Sequence, residues 1–201
     1  MPLGAVKTAL LGAAGAGGAA GWEVISTTVA DSTTATYNFT SIPQTYRDLR
    51  LVVSAARTTA FGDRFYVYVD IGSGIDTDVA DYGTRLVANS SSSFGTMQVV
   101  NFSNLPGYAT DFPGQPDTGV GMSAIWDWMD YANTTKLPTA IAWQNGQGQG
   151  TLAFYHVHGG WNYHAGVGSV QGLRITRPTT SSNYHFKEPT TFTLFGRGTA
   201  D

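Results

Sequence analysis

The chain has no cysteine at any of its 201 positions, which removes disulfides, thiolate metal sites and cysteine nucleophiles together. Charge is nearly as scarce. Asp, Glu, Lys and Arg make up 12% of the residues, about half the roughly 25% usual in globular domains. That share disfavours coiled coils, long solvated helices and charged disordered tails. Lys and Arg total 11 against 14 Asp and Glu, a formal net charge of −3, so the chain carries no electrostatic footprint for a polyanion and no nucleic-acid partner is expected. Long apolar runs are missing too, and a membrane-spanning helix, which needs about 20 predominantly apolar residues, is not expected. No internal repeat, phosphate loop, dinucleotide fingerprint or Ser-His-Asp constellation emerges; Gly15, Gly17 and Gly18 do not follow a strand pattern.

What the chain has in quantity is glycine, 25 residues, and aromatic side chains, 12%. Residues 1–21, MPLGAVKTALLGAAGAGGAAG, differ from everything after them, being rich in Gly and Ala with the single charge of Lys7. As a secretory signal, Lys7 would form the n-region and residues 8–16 the apolar core, which holds only Leu10 and Leu11 as strongly apolar residues. The segment has little of its own to bury, and its small side chains allow close backbone approach. It is therefore expected to be an extended arm laid against a neighbouring subunit, with Leu3, Val6, Leu10 and Leu11 as its apolar anchors; the alternative is an arm folded back on its own domain.

From Trp22 onward, short alternating or apolar runs are broken by Gly, Pro, Asn, Ser and Asp, without helical spacing. Strands are predicted at 23–29, 35–39, 48–55, 64–71, 85–88, 97–101, 123–129, 139–144, 151–158, 169–176 and 191–195. Leu49, Leu51 and Val53 share one face, and Phe65, Val67, Val69 and Ile71 oppose Tyr66, Tyr68 and Asp70. Many short strands with Gly- and Pro-rich connections predict an all-β, antiparallel β-sandwich, jelly-roll-like, over residues 22–201. The long loops 72–84 and 103–120, the latter with Pro106, Pro113 and Pro116, are expected at its edges, where function commonly sits.

Four clusters invite chemistry. His156 and His158 alternate on one strand and, with Gly150, match the first half of the cupin metal motif; His164, after a Gly159-Gly160 turn, would fold back as a third ligand. The expected Glu is missing, replaced by Asn162 and Tyr163, and Thr180 and Asn183 stand where the second half requires Gly and His. Asp70, Asp76, Asp78 and Asp81 offer oxygen ligands for Ca²⁺ but fit no EF-hand spacing, and a solvated acidic loop is the competing reading. Asp127 and Asp130, beside Trp126 and Trp128, could pair across a glycosidic bond, although nothing marks a raised-pKa acid; that tryptophan pair reads better as core. Trp161 and Tyr163 form a candidate platform for stacking a sugar, or equally a protein anchor. No residue is assigned a catalytic role and no cofactor is expected.

Two blocks, one opening and one closing, carry a resemblance. Residues 37–57, with Ile42-Pro43-Gln44 between a short and a long strand and an Ala56-Arg57 end, together with Gly172-Leu173-Arg174-Ile175-Thr176 and Thr191-Phe192-Thr193-Leu194-Phe195-Gly196, resemble small jelly-roll-like virion structural proteins of tailed bacteriophages. Residues 125–135, a strand followed by Asn133-Thr134-Thr135, are similar to the central strand and turn of that family. The resemblance covers 22–196 in order through short, mostly structural motifs. It implies a non-enzymatic virion protein, first a capsid decoration or cement protein bound to the major capsid protein or other virion subunits. A homo-oligomer, trimeric for preference, goes with this reading. The alternative is a receptor-binding, glycan-recognising module of a tail fibre or baseplate. The stretches around 151–158 and 159–161 and the Pro-rich loop depart from the pattern.

Overall fold

A computed structural model describes residues 21–56, 63–91, 97–103, 109–112, 122–147, 154–176 and 186–199. Among them the protein is all β. Its strands are β1 (Trp22–Val29), β2 (Thr36–Phe39), β3 (Asp48–Ala56), β4 (Asp63–Asp70), β5 (Tyr82–Ser91), β6 (Met97–Ser103), β7 (Ala109–Phe112), β8 (Met122–Trp128), β9 (Thr139–Gln147), β10 (Phe154–Tyr163), β11 (Gly172–Thr176) and β12 (Thr191–Arg197). One 3-10 turn, Val79–Asp81, precedes β5. No helix of the described residues is long and apolar enough to cross a membrane.

The strands pair antiparallel in two sheets. The larger has eight strands in the order β1-β12-β3-β8-β9-β10-β5-β6, and the smaller has four in the order β2-β11-β4-β7. Neighbours in each sheet are mostly distant in sequence, and the chain passes repeatedly from one sheet to the other. The two sheets pack face to face because period-two alternation gives each strand one apolar side. Leu49, Leu51 and Val53 of β3, Phe192 and Leu194 of β12, and Ala124, Trp126 and Trp128 of β8 point inward from the large sheet. Val67 and Val69 of β4, Leu173 and Ile175 of β11, and Tyr37 and Phe39 of β2 meet them from the small one. Each fully buried aliphatic side chain of this kind contributes about 1.5–3 kcal/mol. Tyr37 stacks on Phe192 at 4.7 Å between ring centroids, and Phe186 meets Phe192 edge-on at 5.0 Å, which closes one end of the core.

Every predicted strand has a counterpart, with three corrections. Ala109–Phe112 is a strand inside the segment expected to be a loop; its four residues pair with β4 between Asp63 and Phe65. β5 runs ten residues instead of four, because its pairing with β10 continues unbroken through Tyr82. Gly159 and Gly160 are not a turn: they lie within β10, in register with Ala142 and Ile141 of β9 and with Leu86 and Arg85 of β5. The arm anchors Leu3, Val6, Leu10 and Leu11 lie outside the described residues.

Candidate functional site

The continuity of β10 decides the fate of the histidine cluster. His164 follows the far end of the strand, six residues beyond His158 and so about 20 Å away at the rise of a β-strand. His164 is instead tied by its backbone N–H to the Asp81 carbonyl at 2.9 Å. It does not fold back as a third ligand. Among the described residues no three His, Asp or Glu side chains converge to hold a metal ion.

The sugar platform is likewise corrected. Trp161 and Tyr163 are 2% and 4% exposed, and both face the core. Trp161 packs edge-on against Trp128 at 5.7 Å and at a tilt of 45° against Tyr82 at 5.7 Å, and Tyr163 lies 5.2 Å from Tyr82. The supposed turn would have exposed them; a continuous strand puts them on its buried side. Trp126 and Trp128 are buried as well.

The acidic loop is bound to its own backbone and neighbours. The Asp70 carboxylate accepts from the N–H groups of Gly72 and Gly74, Asp78 accepts from Ala80 N–H, and Asp76 accepts the Tyr163 hydroxyl at 2.9 Å. Burial and the facing Asp76 carboxyl push the Asp81 carboxyl above its ordinary value. Asp127 and Asp130, the pair that could have bracketed a glycosidic bond, are each engaged by a cation: Asp127 is held by Arg50 and Asp130 by Lys136.

What sequence reasoning missed is the outer face of the large sheet. Registers across six strands place Thr27, Thr193, Val52, Ile125, Trp143 and His158 in one row. Trp143 is 45% exposed, and its ring stacks on His158 at 5.7 Å with 26° between planes. The adjacent row holds Phe195, Arg50, Asp127, Ile141, Gly160 and the exposed Arg85 of β5. Ile141 is 49% exposed. Arg50 donates Nε to Asp127 Oδ1 at 2.5 Å and Nη2 to Oδ2 at 2.6 Å, and its guanidinium carbon stands 4.2 Å over the Trp22 ring. The hydrogen bond to Asp127 raises the Arg50 pKa above its ordinary value, with burial opposing it. This fork pairs the two opposite charges at the centre of the face, and the row beyond the apolar one carries Ser54, Ser123 and Asn145. An apolar stripe with a polar margin is the anatomy of a protein contact surface.

The signal lay in β9, where Ala140, Ala142 and Gln144 alternate with Ile141 and Trp143. Alternation alone sends the larger set inward. Here the inward volume beside β9 is already filled by Trp126 and Trp128 of β8 and Trp161 of β10, so alanines fit the core side and the large residues face out. No family model matches the chain, and comparison with curated proteins and with solved structures yields no match.

Proposed function

We propose that the protein is a non-enzymatic structural component of a bacteriophage virion, a capsid decoration or cement protein that binds the major capsid protein or other virion subunits. One observation carries this reading: the blocks that resemble virion proteins, far apart in sequence, interlock in space. β2 pairs with β11, and β3 lies between β12 and β8. The Ile42-Pro43-Gln44 turn is tied into the same unit, with Gln44 Nε2 donating to the Val170 carbonyl at 3.0 Å and the Tyr131 hydroxyl donating to the Pro43 carbonyl. In this reading β1-β12-β3-β8 and β2-β11-β4-β7 are the two sheets of a jelly roll, wound as a double Greek key. The pairs β5–β6 and β9–β10 are then additions that widen one sheet and create the outer face described above.

The receptor-binding alternative loses the two rings on which it rested, since Trp161 and Tyr163 belong to the core. A decoration protein reinforces a shell by buried contact area, and both the exposed sheet face and the arm 1–21 suit that role. The test is particle binding. Shells lacking the protein are incubated with the full chain or with a chain lacking residues 1–21, and bound copies and heat-induced rupture are measured. Saturable binding that raises the rupture temperature, weakened by loss of the arm, supports the assignment. Absence of binding by the full chain overturns it.

A further inference from the structure

We draw no further inference here: the strongest candidate, the half-exposed patch of Trp143 and Ile141 on the outer face of the eight-stranded sheet, carries nothing more, since nothing in the structure shows what covers it.

Discussion

The ring of Tyr46 lies directly against the backbone of Gly196, on the ground a side chain at that position would occupy. Gly196 sits within β12, paired with Leu49 and Glu23, and the Tyr46 hydroxyl donates to Glu23 at 3.1 Å. The glycine is there for room: it lets the aromatic ring close the space between β1 and the entry to β3. Gly196→Ala forces the ring and its hydrogen bond aside. A loss of about 1–3 kcal/mol is expected, as for other overpacked sites. It should appear as a fall of several degrees in the thermal midpoint.

Asp48 supplies the acid dependence of folding. Its carboxylate is 1% exposed and accepts from Arg197 Nη2 at 2.8 Å, Arg47 Nη2 at 3.3 Å and the Asp130 N–H at 3.1 Å. Burial pushes the carboxyl up, but Arg197, Arg47 and the Asp130 N–H together push it further down, and it settles below the ordinary 3.8. A folded pKa below the unfolded one means stabilisation that is fully present above pH ~4 and lost as pH falls through the folded value. Urea midpoints should therefore drop between neutral pH and pH ~3. Asp48→Asn should lower the stability at neutral pH by about 1–3 kcal/mol and flatten the acid limb.

Tyr82 is fully buried, and its hydroxyl accepts from Val69 N–H at 3.1 Å and donates to the Asp76 carbonyl at 2.7 Å. It serves β4 beyond the reach of β7, which pairs only near Asp63 and Phe65. Burial drives its pKa far above that of free tyrosine. Tyr82→Phe leaves a buried N–H without an acceptor and should cost about 1–3 kcal/mol. The check is amide exchange, with protection at Val69 falling more than at Leu173. Tyr163→Phe removes only the bond to Asp76 and should cost less, about 0.5–1.5 kcal/mol.

The tryptophans separate by burial. Trp161→Ala empties a site walled by Trp128 and Tyr82 and should destabilise by about 3–5 kcal/mol. Trp143→Ala removes a half-exposed ring and its stack on His158 and should cost less, about 1 kcal/mol. Chemical denaturation of both variants decides the matter; equal losses would place Trp143 in the core after all.

Much of this was legible residue by residue. The strand runs, the inward set Leu49, Leu51 and Val53, and the buried pair Trp126 and Trp128 follow from alternation and side-chain size. β7 was not legible, because four residues among prolines and glycines carry too short a pattern. The candidate site was misread at one place: Gly159-Gly160 looked like a turn, and that error both gathered His164 to His158 and exposed Trp161 and Tyr163. Two glycines mark a turn only when the flanking strands do not continue to pair, and pairing is settled by partners elsewhere in the chain.

By itself, then, the sequence determined that the protein is all β, has no cysteine chemistry and carries little charge, because composition and a period of two are local properties. Which strands lie side by side, and which face of each looks inward, only the tertiary structure decided. Alternation defines two faces without saying which is buried. In β9 the volume of Trp126, Trp128 and Trp161 on the flanking strands made that choice, sending Ala140 and Ala142 into the core and leaving Ile141 and Trp143 on the surface.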